Sequence, residues 1–239
     1  MHTELAFKLR ALLPKKSNEL IITMDSTPHE QTGKKMEGVT WNYKNMWCLD
    51  SQNAYDQYGI SYGFYLRSGN TYSGNHATSM IEQIFSKAPT DMKRSFRADS
   101  AYSNRGIYNT LLNKNVSFAI ALKANVYNGL IRESEHSLTW KKSNLKFFNS
   151  NDCEVTSLQY KVSGLAMGRK HLRVVVLRAP LLEEEQMDIW NGKYRYYAIV
   201  TSFYEHEKSN EDVIHFYRGR ANAENFIKEQ KGGFDLRHF

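Results

Sequence analysis

Two cysteines in 239 residues, Cys48 and Cys153, stand about a hundred positions apart. That rules out a disulfide framework and gives no ligand-like spacing for a zinc site. There are only four prolines, no internal repeat and no tract of biased composition, so nothing marks a linker or a low-complexity tail. No apolar stretch approaches the roughly 18 residues needed to cross a bilayer. Met1–Leu13 carries Glu4, Lys8 and Arg10 and lacks the apolar centre and cleavage site of a signal peptide. These absences predict a soluble, cytoplasmic protein with no membrane partner.

What is abundant is positive charge in one place. The net charge is +7, which suits a polyanionic partner. Residues 100–180 hold twelve Lys/Arg against four Asp/Glu and carry more than the whole surplus. Lys141, Lys142, Lys146, Lys161, Arg169, Lys170 and Arg173 are their densest part. A solvated face would look the same.

Apolar patterning alternates between strands and helices, an α/β arrangement. Leu20–Met24 reads as a buried strand closed by Asp25, with a polar loop after it through Gly33 and Gly38. Strand-like stretches surround Trp41–Leu49 and Ile60–Leu66, and His76–Lys87 is an amphipathic helix. Arg94–Ala98 is a short strand ending at Asp99, followed by a helix over 104–113 and a strand over Val116–Leu122. From 136 to 203 the pattern turns to β, with runs at Glu154–Val162, Leu172–Leu177 and Tyr194–Phe203. Glu183–Glu185 reads as a solvated loop tip. The chain thus divides into a first part (1–135), a β-rich insert (136–203) whose last strand can rejoin the core, and a final helix (204–239). Ser209 and Asp212 give that helix a capping-box start. The helix is expected to run to about Gln230, with Gly219 marking close packing or a bend inside it.

Asp25 and Asp99 each follow a short apolar strand. Carboxylates are costly to bury, so such acids sit at strand mouths or are paired, and ligands collect at the carboxyl ends of strands in open α/β sheets. Each acid alone reads as readily as a turn or cap residue. Tyr217, Arg220, Glu224 and Lys231 are spaced by three, four and seven residues, which places them on one stripe of a continuous helix. An acid flanked by two cations and a phenol suits a metal ligand beside phosphate-gripping groups. A solvated stripe with an Arg–Glu i,i+4 pair has the same spacing.

At these residues the chain resembles the DDE-type bacterial insertion-sequence transposases that carry a Tyr-Arg-Glu-Lys signature. Tyr217-x₂-Arg220-x₃-Glu224-x₆-Lys231 matches the signature. Met24–Thr27 is similar to the first-acid segment, Phe96–Tyr102 to the second, and Leu66–Thr71 is similar in order and spacing. The resemblance implies an RNase H-like core, a mixed sheet with flanking helices, with a β-rich insert before the last catalytic acid. It implies a catalytic core truncated at both ends, from a cytoplasmic, nucleoid-associated bacterial protein that assembles as a homodimer on double-stranded DNA. It further implies that Asp25, Asp99 and Glu224 hold two Mg²⁺ ions, with Mn²⁺ able to substitute. Tyr217, Arg220 and Lys231 would hold phosphates of transposon ends and target, and the basic insert, through Lys141, Lys142, Arg169 and Lys170, would track the DNA backbone. Trp140 and Trp190 are the candidates in the insert for stacking an unpaired base. The chemistry implied is strand cleavage and strand transfer in cut-and-paste transposition. A structure-selective nuclease on the same fold and a catalytically silent DNA-binding remnant are the alternatives.

Overall fold

A computed structural model describes residues 2–14, 17–33, 35–147, 150–181 and 192–233, with side chains described as far as Glu229. The first elements are α1 (His2–Ala11), β1 (Glu19–Glu30), β2 (Thr40–Trp41), β3 (Trp47–Tyr55), β4 (Ser61–Ser68) and α2 (Ala77–Lys87). They are followed by β5 (Lys93–Ala98), α3 (Arg105–Asn113), β6 (Ser117–Ala121) and α4 (Ala124–Ser134). Then come β7 (Lys141–Ser143), β8 (Cys153–Lys161), β9 (His171–Pro180), β10 (Tyr194–Thr201), α5 (Asn210–Arg218) and α6 (Ala221–Gly233).

Among the described residues, ten strands join one sheet in the order β2-β3-β1-β5-β6-β10-β9-β8-β7, with β4 also paired to β3. The three strands β1, β5 and β6 run parallel, and those on either side are antiparallel. This is the mixed sheet with flanking helices expected of an RNase H-like core. Strands from the 136–203 stretch do not form a separate β-layer. They extend the same sheet from β6, with β10 joining it directly.

The two faces follow from the period-2 alternation of strand side chains. In β6, Phe118 and Ile120 enter the larger core while Ala119 and Ala121 enter the other. In β9, Leu172, Val174 and Val176 enter the larger core, and Val175, Leu177 and Ala179 the other. The larger core packs against α2, α3 and α4. The opposite face is covered by α5, through Val213, Ile214 and Tyr217. A smaller cluster seats Ala223 and Ile227 of α6 on Tyr55 of β3. Helix α1 is tied in by a buried ion pair between Arg10 and Asp56, 2.8 Å apart.

Three sequence expectations are corrected, and one element is new. Asp25 does not close β1. The strand continues to Glu30 because Asp25–Glu30 pairs with Cys48–Asn53 of β3. Beyond Met24 only β3 flanks it, an edge environment that tolerates Pro28. Trp41–Leu49 is not one strand, because Asn42–Met46 form a turn between β2 and β3. The final helix is two helices, broken at Gly219-Arg220. Helix α4 has no counterpart in the sequence reading, and only Ile131 on it is buried. Trp190 and Glu183–Glu185 lie outside the described residues.

Candidate active site

The same alternation aims the two aspartates. Leu20, Ile22 and Met24 of β1 face the larger core, as do Phe96 and Ala98 of β5. Thr23 and Arg97 therefore face the α5 side, and so do the next odd positions, Asp25 and Asp99. Met24 is paired with Ala98 in the last step of the parallel ladder, so Asp25 and Asp99 stand side by side just past it, at the carboxyl end of β5. Asp99 Oδ1 accepts a hydrogen bond from Ala101 N at 2.9 Å, capping the short 3₁₀ turn Ser100–Tyr102. Asp25 Oδ1 accepts one from Ser26 N, also at 2.9 Å.

The helix break brings in the third acid. Ser209 and Asp212 cap α5 reciprocally, as the capping box predicts. Arg97, only 6% exposed, reaches up from β5, donates to Thr23 Oγ1 at 2.8 Å and meets the Phe216 carbonyl at 3.0 Å. Its guanidinium lies against Gly219, where any Cβ would overlap it. Arg220, in the break, then turns toward the strands. Its Nη1 is 3.2 Å from Asp25 Oδ2, and its Nη2 is 2.9 Å from Glu224 Oε1 in the first turn of α6. Burial would lower the Arg220 pKa, but Tyr217, Asp25 and Glu224 outweigh it and raise it. Burial, aided by Arg220, lowers Arg97 to about 10, so both guanidiniums remain charged at neutral pH.

Asp25 titrates high, at about 6 against an ordinary 3.8. Burial is the main cause. Arg220 and the Ser26 N–H oppose it, and the charges of Asp99 and Glu224 add to it. Because the folded chain holds this proton more tightly than the unfolded chain, stability falls as pH rises from about 4 to about 6. The loss is complete above that window, on the order of 3 kcal/mol at ~1.4 kcal/mol per pKa unit. Urea unfolding at a series of pH values should show this downward slope, and Asp25→Asn should flatten it. Equal slopes in both proteins would contradict the raised pKa of Asp25.

These acids open into a groove of about 690 Å³. Asp25, Asp50, Asp99 and Glu224 line it, with the cations Lys44, Lys123 and Arg220. Residues 69–73 also line it, and the 69–75 loop is held in place by buried polar groups. Arg67 pairs with Asp50 and donates to the carbonyls of Ser73 (3.3 Å) and Asn75 (2.9 Å). Gln52 Nε2 donates to the Ser73 carbonyl at 2.7 Å, and Tyr72 Oη to that of Ala101 at 2.7 Å. Three carboxylates offer the all-oxygen donors that a hard divalent cation takes, and a cation would offset the repulsion that Asp99 and Glu224 exert on Asp25. Among the described residues, no three His, Cys, Asp or Glu side chains lie close enough to ligate one ion. Glu224 is instead held toward Arg220.

The transposase DDE domain group 1 family matches residues 1–239, the entire chain. The chain belongs to this DDE transposase family. A comparison with curated proteins finds no match. For a DDE transposase, two acids side by side where β1 passes the end of β5, with a third on a following helix, are the residues to test first.

Other site expectations fare differently in this DDE transposase. Tyr217 is 6% exposed. Its ring packs 5.8 Å from that of Tyr197 and lies 6.0 Å from the Arg220 guanidinium, so it supports Arg220 from below rather than presenting a free phenol to a phosphate. The side chain of Lys231 lies outside the described residues. The four insert cations do not share a surface. Lys141 and Lys142 sit on β7, six strand-to-strand steps from β1, roughly 29 Å along the sheet at ~4.8 Å per step. Arg169 and Lys170 precede β9, whose first residues lie at the opposite end of the sheet from Asp25 and Asp99. Arg169 is committed there, donating to the Ser202 carbonyl at 3.0 Å and stacking over Tyr204. Antiparallel connections scatter residues that are neighbours in sequence. Trp140 is half-buried, with the Arg178 guanidinium 3.9 Å above its ring, and is not free to stack on a base.

The sequence reading missed Lys44, Lys123, Asp50 and Arg97. Only the Leu66–Thr71 resemblance and the in-helix Gly219 hinted at the loop anchor and at the Arg97 contact. Gly219→Ala should destabilise the fold by about 1–3 kcal/mol, the usual range for overpacking a close approach. Arg97, pinned by Thr23 and Phe216, has little room to yield. An unchanged urea midpoint would contradict that packing.

Proposed function

We propose that this chain cleaves DNA at transposon ends and joins the freed 3′-hydroxyl to target DNA, the two steps of cut-and-paste transposition. The reading is supported by one observation above others: Asp25 and Asp99 side by side past the parallel ladder, with Arg220 linking Asp25 to Glu224. Asp25, Asp99 and Glu224 would hold Mg²⁺, with Mn²⁺ as a substitute. The bound cation would supply Lewis acidity at the scissile phosphate. Arg220 stands between two of the acids, where it can neutralise a phosphate oxygen while keeping both carboxylates oriented. Lys44 and Lys123 line the same groove and would hold the backbone on either side, in place of the scattered insert cations. Ser100 and Ala101, beside Asp99, fix the floor through the aspartate-capped turn. A homodimer assembled on double-stranded DNA belongs to the same proposal.

The test is a strand-transfer assay with a pre-cut transposon end bearing a free 3′-hydroxyl, a plasmid target and Mg²⁺. Covalently joined product is the expected result. Nicking without joining would favour the structure-selective nuclease. Binding with neither reaction would favour the silent remnant.

A further inference from the structure

The turn between β2 and β3 projects large aromatic surface into solvent beside the acid-lined groove. Tyr43 is 87% exposed and Trp41 62% exposed, and Trp41 is backed by Trp47 with ring centroids 5.6 Å apart. Neither exposure contributes to the core, so folding does not account for it. The turn holds a defined shape. Asn42 Oδ1 accepts from Lys44 N at 2.9 Å and Met46 N at 3.0 Å, and the Asn42 N–H donates to the Met46 carbonyl at 3.0 Å. Asn45 takes the left-handed conformation with φ 56°, which asparagine tolerates. Trp47 Nε1 donates to the Gly33 carbonyl at 3.1 Å and ties the base of the turn to the chain leaving β1.

Tyr43 and Lys44 line the groove together with Asp25, Asp99 and Glu224. Tyr72, 48% exposed, lines it too, with Lys123 Nζ 3.2 Å from its hydroxyl. The groove thus combines cations with the exposed aromatic rings of Tyr43 and Tyr72. That pairing is how single-stranded nucleic acid is held, with the backbone on the charges and bases stacked on the rings. A base inside a duplex already has both faces covered by its neighbours, so exposed rings can add stacking only to unpaired or terminal bases.

We propose that the β2–β3 turn is a stacking platform, centred on Tyr43 and extended by Trp41, that holds unpaired nucleotides of the DNA strand entering the groove. The proposal rests on the functional reading above and adds a preference for frayed or tailed DNA over fully paired DNA. Asn42 acts as a positioning residue, setting the turn that presents Tyr43.

The test compares a blunt DNA duplex with the same duplex carrying a short single-stranded tail, with binding followed by fluorescence anisotropy. The unaltered chain should bind the tailed duplex more tightly. Tyr43→Ala should weaken that binding roughly 5- to 150-fold, the span of one base–aromatic stack, and leave blunt-duplex binding unchanged. Tyr43→Phe, which keeps the ring, should restore it. Trp41→Ala should fall between. Equal binding of tailed DNA by the unaltered chain, Tyr43→Ala and Trp41→Ala would overturn the platform and leave the functional reading standing. No binding to either duplex would overturn both. A DNA-free dimer that Tyr43→Ala dissociates, without any change in DNA binding, would make the turn a self-association surface and also overturn the platform.

Discussion

Asp25→Asn is expected to abolish DNA strand cleavage, by at least about 10²–10³-fold, the scale on which removing one charge-stabilising group at a reacting centre acts. The fold should survive the change. At pH 7–8 its unfolding free energy should stay level or rise. The reason is local: the Asp25 side chain is only 15% exposed, its pKa is raised to about 6, and the charges of Asp99 and Glu224 oppose its ionisation, so its charge is a cost to the folded state. Residues that cost stability and support activity are the usual price of a functional site. Asp99→Asn and Glu224→Gln should cause comparable losses of cleavage. Glu224 is the more exposed partner in its pair with Arg220, its side chain 48% accessible, so Glu224→Gln should hardly move stability. Cleavage time courses and urea titrations on the same preparations check both halves. A variant that unfolds in step with its loss of activity would contradict this division of roles.

Asp50→Ala is expected to destabilise the protein by about 3–5 kcal/mol, because it strands the Arg67 guanidinium without its carboxylate in a buried setting. The side chains are 5% and 10% exposed for Arg67 and Asp50, and Arg67 also carries the Ser73 and Asn75 carbonyls. The damage should therefore spread into the 69–75 loop that walls the groove. Thermal and urea unfolding would read the first effect. Limited proteolysis would read the second, as new cleavage between Gly69 and Asn75. A loss below about 1 kcal/mol, the value of an exposed pair, would show that Arg67 is not held as described.

The core elements β5, β6, α2 and α3 were legible in the sequence because each shows a clean apolar period of its own. Phe96 and Ala98, or Ile107, Leu111 and Leu112, need no distant partner to be recognised. The second half of β1 was not legible, because Ser26, Thr27, Pro28 and His29 have no apolar alternation and are strand only through pairing with β3. The helix break at Gly219 is likewise a tertiary event, set by Arg97 arriving from β5. That break alters the meaning of the Tyr217–Lys231 spacing. Tyr217 ends in the core and Arg220 leaves the helix to reach Asp25, while the Arg220–Glu224 contact keeps the separation of four that a helix would give. The two aspartates were visible as acids that follow short apolar runs, yet their convergence required the register of β1 against β5. Charge density was the least transferable signal. Lys141, Lys142, Arg169 and Lys170 cluster in sequence and separate in space, while Lys44 and Lys123 are isolated in sequence and share the groove.

The proposed function requires Asp25, Asp99 and Glu224 to act together in holding divalent cations. Mn²⁺ binding, followed by the loss of the free-ion electron paramagnetic resonance signal, tests it most directly. The unaltered chain should bind Mn²⁺ in competition with Mg²⁺, more tightly as pH rises through 6 and Asp25 loses its proton, and Asp25→Asn and Asp99→Asn should each remove that binding. Equal Mn²⁺ affinity in all three proteins would contradict the assignment.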